Sequence, residues 1–139
     1  MANDIERKII ETRGVSPPLG AYNHAVSVRP GQLLFIAGQV AVDEGGKTVG
    51  KGDLAAQTRQ VYHNLEQVLA SAGATFENVV RFNTFIVRDQ SLDNYMGARR
   101  EISARIYPNG DFPPNTLLFI DRLVQEEFLI EIEAIAALP

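Results

Sequence analysis

Apolar and polar positions follow two different periods along the chain, and these periods predict its helices and strands. Apolar residues recur at helical spacing over residues 54–72 and 92–106. Asp53 and Ser91 stand at the N-cap positions of these helices, and Gly73 follows the first helix as the residue that ends it. Runs rich in β-branched and aromatic residues predict strands over residues 5–11, 24–28, 33–42, 78–87, 116–123 and 127–137.

The order of these elements predicts an α+β topology. A helix, a strand and a second helix alternate in the middle of the chain, which implies right-handed crossovers that place both helices on one face of a mixed sheet. A turn at residues 29–31 predicts a hairpin of the second and third strands, and residues 114–137 predict two strands with a tight connection. The other sheet face then has no cover within one chain, so we expect an oligomer.

Two carboxylates, Glu131 and Glu133, interrupt the apolar last strand and share one of its faces. A carboxylate in a cleft can act as a general base on water. The same side chains can instead serve a subunit interface, paired with Arg81, Arg122 or a backbone donor across subunits. Both interpretations stay open for Glu131, and the interface role is favoured for Glu133.

Glycine and histidine positions add less specific signals. Gly38 lies inside a predicted strand, where it indicates a bulge, a close approach of another group, or simple packing, and these alternatives stay open. The glycine-rich segment 43–53 lacks the spacing of a phosphate-binding loop, so it is predicted to be a surface loop. His63 is predicted to be an exposed helix residue, and a structural role is favoured for His24.

Composition limits the classes of function. The 139 residues predict one domain over residues 1–139. Without cysteine, the chain has no thiolate nucleophile, disulfide or cysteine metal site, and with two histidines no metal site is expected. The net charge of −4 weighs against nucleic-acid binding. With no membrane-length apolar run and no signal-peptide pattern, we expect a cytoplasmic protein without membrane contact.

Four segments resemble the Rid (YjgF-like) family in their order and spacing. They are SPPLGAYNHAV (16–26), LLFIAGQVAVD (33–43), AAQTRQVYHNLEQVLASAGATFENVVRFNTFIV (55–87) and LIEIEAIA (129–136). The resemblance covers nearly the whole chain. It implies a chorismate-mutase-like, six-stranded mixed sheet with two helices on one face, and a homotrimer with a barrel-like core and three clefts between subunits. For deaminating members it implies hydrolysis of enamines and imines to ketoacids and ammonia, with no metal or organic cofactor.

The resemblance assigns roles to individual residues. Tyr22 matches the loop tyrosine of the family, Glu131 matches the carboxylate that orients the attacking water, and Gly38 matches the glycine whose surrounding backbone lines the cleft. The arginine that holds the substrate carboxylate in deaminating members falls at Asn115. Asparagine has no charged fork for a carboxylate, so the chain resembles branches that lack this arginine.

This departure changes the predicted ligand. Asn115 and Thr116 offer neutral hydrogen bonds, which suit a neutral or amide-like small molecule. Arg99 is a candidate for the replacement charge, although a surface arginine on the polar side of its helix is favoured.

The leading hypothesis is a hydrolase of carbon–nitrogen bonds with an altered substrate. The alternative is a non-catalytic, small-molecule-binding or regulatory trimer. Ribonuclease activity ranks last, given the acidic balance and the lack of a recognisable histidine pair.

Overall fold

The computed structural model describes residues 5–139, and in this range it contains six strands and two α-helices. The strands are β1 (Glu6–Ile9), β2 (Val26–Arg29), β3 (Gln32–Gln39), β4 (Val79–Val87), β5 (Asn115–Ile120) and β6 (Ile130–Leu138). The helices are α1 (Leu54–Ser71) and α2 (Leu92–Ile106). Every predicted element is present. The last two strands are shorter than predicted, because β5 ends at Ile120 and β6 begins at Ile130.

The six strands form two sheets rather than the single six-stranded sheet that the resemblance implied. Four strands form a mixed sheet in the order β3-β6-β4-β5, and β1 and β2 pair in a separate antiparallel sheet. Strands β4 and β5 are parallel, with α2 as the connection between them, while β6 is antiparallel to both of its neighbours. The α+β class with a mixed sheet is therefore confirmed.

Both predicted hairpins are wrong. The last two strands are not neighbours, because β5 pairs in parallel with β4 and residues 121–129 then carry the chain to the far side of β4, where β6 lies. The second and third strands are not paired either, because β2 pairs with β1 and β3 pairs with β6. Pro30 has no N–H to extend a ladder, and the N–H of Gly31 donates to the carbonyl of Leu138 at 2.8 Å.

The helix ends follow the sequence signals with one exception. The Asp53 carboxylate accepts a hydrogen bond from the N–H of Ala56 at 3.1 Å, which confirms its N-cap role. Gly73 has φ of +71°, the left-handed conformation that favours glycine after a helix. Ser91 occupies the N-cap position of α2, but its side chain makes no capping hydrogen bond.

One face of the four-stranded sheet packs against both helices, as the order of elements predicted. Alternate residues of β4 and β6 bury their side chains against the apolar sides of α1 and α2. The central members of this core are Val61, Leu65, Leu69, Phe82, Ile86, Tyr95, Ile130 and Ile132. No helix within residues 5–139 is long and apolar enough to span a membrane.

Residues 5–139 leave the opposite face of this sheet uncovered. We call it the open face; it carries Phe35, Arg81, Leu118, Glu131 and Glu133. Phe35 is 71% exposed there, and Leu118 is 49% exposed. Large apolar side chains beside carboxylates indicate a surface that meets another molecule.

The buried side chain of Gln57 in α1 hydrogen bonds the backbone of the segment that precedes β6. Its Nε2 donates to the carbonyls of Glu127 at 2.8 Å and Gly50 at 3.2 Å, and its Oε1 accepts from the N–H of Leu129 at 2.9 Å. Glu131 follows two residues after Leu129. The side chain of Gln57 therefore fixes the backbone immediately before this carboxylate. Nothing in the sequence indicated this role, because α1 was identified by its apolar residues and Gln57 is polar.

Candidate active site

The predicted site residues fall into two groups at different places on the four-stranded sheet. The first group surrounds a groove at the outer edge of β5, and the second lies on the open face. Tyr22, Arg99, Asn115 and Thr116 border the groove. Gly38 and Glu131 form the second group, which we call the carboxylate site.

The groove has a volume of about 500 Å³ and lies between the loop around Tyr22, helix α2 and strand β5. Most of its wall is apolar, with side chains of Leu19, Leu92, Met96 and Leu117. The Tyr22 hydroxyl accepts a hydrogen bond from the N–H of Leu19 at 3.2 Å, so its own proton remains available to a ligand. A concave apolar surface with a few polar groups is typical of small-molecule sites.

Asn115 and Thr116 point to different sides of β5, because strand side chains alternate. The Asn115 side-chain oxygen accepts from the buried Thr84 hydroxyl at 3.0 Å, which places Asn115 on the helix side and leaves its NH₂ group as a donor. The Thr116 hydroxyl instead accepts from Arg81 at 3.1 Å, on the open face. Thr116 thus borders the groove at the strand edge without facing the same way as Asn115.

Arg99 is not the surface arginine that the sequence favoured. It is 3% exposed, donates a hydrogen bond to the Ser103 hydroxyl, and holds its guanidinium 5.3 Å from the centroid of the Tyr62 ring. It lies four residues after Tyr95 and three before Ile102, so the helical repeat turns all three inward. Burial, the largest influence, disfavours its charge, but the surrounding tyrosines outweigh it and the pKa of Arg99 is raised.

The carboxylate site is built on a bulge in β3. The pairing of β3 with β6 shifts between Ile36 and Gln39, so the ladder does not pair Ala37 or Gly38 in regular register. A Cβ atom on Gly38 would lie 2.7 Å from Cδ and 2.8 Å from Cγ of Glu131. Of the alternatives left open for this glycine, the structure shows both the bulge and the close approach, and the approaching group is the side chain of Glu131.

Glu131 and Glu133 have different surroundings, although they share the open face. Within residues 5–139, the Glu131 carboxylate accepts no hydrogen bond and forms no ion pair. Partial burial, followed by the negative charge of Glu133, raises the pKa of Glu131 above its ordinary value. Glu133 accepts a hydrogen bond from Asn83 at 2.8 Å. Within residues 5–139, Glu133 therefore has a hydrogen-bond partner and Glu131 has none.

The histidines stand apart from the carboxylate site. A ring nitrogen of His24 hydrogen bonds the carbonyl of Ser16 at 2.8 Å and so supports the loop that carries Tyr22. His63 lies exposed on α1, as predicted. Among residues 5–139, no three histidine, aspartate or glutamate side chains cluster in a way that could hold a metal ion.

Comparison with known proteins finds a family model, homologous sequences and a solved structure that each match most of this chain. The family model described as Endoribonuclease L-PSP matches residues 14–138. A RutC family protein of Synechocystis is 35% identical, over 95% of this chain and 97% of the relative. The rat 2-iminobutanoate/2-iminopropanoate deaminase is 32% identical, over 96% and 92%. The crystal structure of the Rid family protein YyfB from Yersinia pestis superposes with a TM-score of 0.84 and 40% identity, over 94% and 98%.

Proposed function

This chain belongs to the Rid (YjgF-like) family, and on that premise we propose that it hydrolyses carbon–nitrogen double bonds of small enamines or imines. The observation that carries the proposal is the Glu131 carboxylate, which lies against Gly38 without an internal partner and with a raised pKa. A general base on water needs such an available carboxylate with a pKa moved toward neutrality. The name of the rat relative supports the same class of reaction.

The proposed reaction needs water, a general base and hydrogen-bond donors, and this chain has a candidate for each role. An enamine first takes a proton on carbon and becomes an imine. Glu131 then accepts a proton from water while the water oxygen bonds to the imine carbon. Glu131 gives that proton to the nitrogen, which completes a carbinolamine. The hydroxyl proton then passes to the nitrogen as the carbon–nitrogen bond breaks, and a carbonyl compound and ammonia leave. Tyr22 and the backbone near Gly38 would donate hydrogen bonds to the developing charge.

The site is proposed to be shared between subunits of a homotrimer. Within one chain the groove lies at the outer edge of β5, whereas the carboxylate site lies between β3 and β6 on the open face. One chain therefore cannot bring Tyr22 and Glu131 together across its own sheet. A neighbouring chain that packs on the apolar open face would place its groove against this carboxylate. The groove of one chain and the carboxylate site of another would then form one cleft.

Assembly is expected to depend on the open face. Wild-type protein should show a mass three times that of a single chain in light scattering at micromolar concentration. Phe35→Glu should shift it to smaller species, because the substitution places a charge in the apolar part of the interface. Ala104→Glu, on the exposed side of α2, is the matched control and should remain assembled. A stable wild-type monomer would contradict the proposal.

Glu133→Gln is expected to move the acidic limb of kcat/KM to lower pH. The rate rises with pH as Glu131 loses its proton, and removal of the neighbouring negative charge lowers the pKa of that carboxyl. The pH profile of ammonia release measures the shift, and Glu126→Gln, at an exposed loop position, should leave the limb unmoved. For folding, the raised pKa means that ionised Glu131 disfavours the folded state fully above that pKa, and this penalty fades as pH falls from it through the ordinary pKa of glutamate.

The activity itself is tested by ammonia release from imines generated in the assay by a pyridoxal-phosphate enzyme acting on an amino acid. We expect the protein to accelerate release above the rate in water. A non-catalytic binding trimer predicts equal rates with and without the protein, so this comparison separates the two functions.

A further inference from the structure

We propose that two amide side chains of helix α1, Gln57 and Asn64, are positioning residues for Glu131. Gln57 holds the backbone segment before Glu131, and Asn64 holds the backbone segment after Gly38. Both amides belong to the helix side of the sheet, so they act through the backbone and not on the substrate. Their effect on the rate rests on the proposed hydrolase, whereas the placement of the carboxylate can be measured without turnover.

The first observation is that the peptide groups of Leu129 are held from two sides. Gln57 is 0% exposed; its Nε2 donates to the carbonyl of Glu127 at 2.8 Å, and its Oε1 accepts from the N–H of Leu129 at 2.9 Å. The carbonyl of Leu129 accepts from the N–H of Val87 in β4 at 3.0 Å. Because the backbone is fixed two residues before Glu131, the direction in which β6 presents this carboxylate is fixed as well.

Asn64 supports the other strand of the carboxylate site. Its Nδ2 donates to the carbonyls of Val40 at 3.0 Å and Val42 at 2.9 Å, and Val40 follows Gly38 by two residues. The pairing of β3 with β6 is irregular at Gly38, so regular cross-strand hydrogen bonds do not determine where this glycine lies. The hydrogen bonds of Asn64 therefore fix the chain at the point where the ladder does not.

The two amides share one side of α1. Gln57 and Asn64 are seven residues apart, about two helical turns, so their side chains project in nearly the same direction. The helix is thus a common support for the two segments that meet where Glu131 lies against Gly38. Catalytic groups have to be held within about 0.5 Å of their productive position, and hydrogen bonds behind the site are the usual means.

The competing interpretation is that these amides only pair buried backbone groups and stabilise the fold. Asn78 provides the matched control, because it pairs backbone groups at the far end of β6. It is 0% exposed; its Nδ2 donates to the carbonyl of Ala137 at 3.0 Å, and its Oδ1 accepts from the N–H of Thr75 at 3.0 Å. Ala137 lies six residues after Glu131, so loss of the Asn78 amide leaves the segments at the carboxylate site untouched.

Three variants replace each amide with an apolar side chain of similar size, and ammonia release is measured below their unfolding temperatures. Gln57→Met should lower kcat by about tenfold to a hundredfold with little change in KM, because a misplacement of about 1 Å is enough for such a loss. Asn64→Leu should act in the same way with less risk to folding, since the carbonyl of Val40 still accepts from the N–H of Val42 at 2.8 Å. Asn78→Leu should lose stability and keep kcat.

A ¹³C NMR titration of the Glu131 carboxyl in the assembled protein measures its placement without a substrate, and Glu131→Gln identifies the signal. Partial burial and the charge of Glu133 raise the pKa of this carboxyl in its present position. A carboxyl that leaves the position should titrate at lower pH. We expect this shift in Gln57→Met and Asn64→Leu, and no shift in Asn78→Leu.

An unchanged Glu131 titration in both α1 variants, a kcat no lower than that of Asn78→Leu, or a raised KM with unchanged kcat would each overturn the inference. Failure of the proposed reaction would look different. In that case wild-type protein would release no ammonia above the rate in water, while the Glu131 titration would still shift in the two α1 variants and stay in place in Asn78→Leu.

Discussion

Glu131→Gln is expected to lower kcat for ammonia release by about 10²–10⁴-fold, the usual contribution of a general base. The amide has the shape of the carboxylate but cannot accept a proton from water at neutral pH. KM should change little, because the groove that a neighbouring subunit would bring to this carboxylate keeps all of its residues. Initial rates with freshly generated imine, from wild-type and variant protein at equal concentration, give the comparison.

Stability measurements separate this catalytic effect from a folding defect. Glu131 is only partly buried, and its charged form is disfavoured by burial and by Glu133. The neutral amide removes both penalties, so the free energy of unfolding near neutral pH should stay the same or rise. Glu133→Gln serves as the matched control and should retain most of kcat, since its oxygen can still accept from Asn83. Equal rates for Glu131→Gln and wild type would remove Glu131 from the mechanism.

Gly38→Ala is expected to reduce kcat by about a hundredfold, because a small misplacement of a catalytic group is enough for a loss of that size. The added methyl would meet Cγ and Cδ of Glu131, so the carboxylate must turn away from the bulge. The backbone of Gly38 is not in the left-handed region, and the obstruction is a side chain rather than backbone. Thermal unfolding should therefore change much less than activity.

Gly97→Ala provides the matched control for this substitution. Gly97 lies in α2, where an added Cβ meets no atom within 4 Å, and alanine is a better helix former than glycine. This variant should keep its rate and gain stability. A Gly38→Ala protein with wild-type activity would show that the contact with Glu131 does not position the carboxylate.

Local signals in the sequence predicted most elements and part of the site. Asp53 and Gly73 marked the ends of α1, because capping depends on a few neighbouring residues. A glycine inside a strand of bulky residues indicated a bulge or a close approach at Gly38, and the structure contains both. These predictions depended on residue types and on interactions between residues close together in the sequence, and a single sequence shows both.

Strand pairing was the part that the sequence did not determine. A strand next in order along the chain is the simplest partner, which led to the two wrong hairpins. In the structure β6 lies between β3 and β4, so its alternate residues Ile130, Ile132, Ala134 and Ala136 are all buried. The apolar residues at alternate positions of β6 were a signal of a buried strand face, but they did not identify which strands were its neighbours.

The predicted surface position of Arg99 was wrong for a different reason. The apolar residues at helical spacing in α2 include Leu92, Tyr95, Ile102 and Ile106, and position 99 completes their repeat. Arginine was assigned to the surface because of its residue type. The structure follows the repeat for Tyr95, Arg99 and Ile102, whereas Leu92 is 46% exposed. A charged residue that completes an apolar stripe can therefore indicate a buried position.

The central claim is that a cleft joins the groove of one subunit to the carboxylate site of another, with Glu131 as the base. Subunit mixing tests it most directly. Glu131→Gln and Tyr22→Ala proteins, each expected to be nearly inactive, are co-refolded in equal amounts and assayed for ammonia release. A shared cleft predicts about one quarter of wild-type activity, since each half is intact in half of the chains. Activity no greater than the average of the two separate variants would contradict the shared cleft.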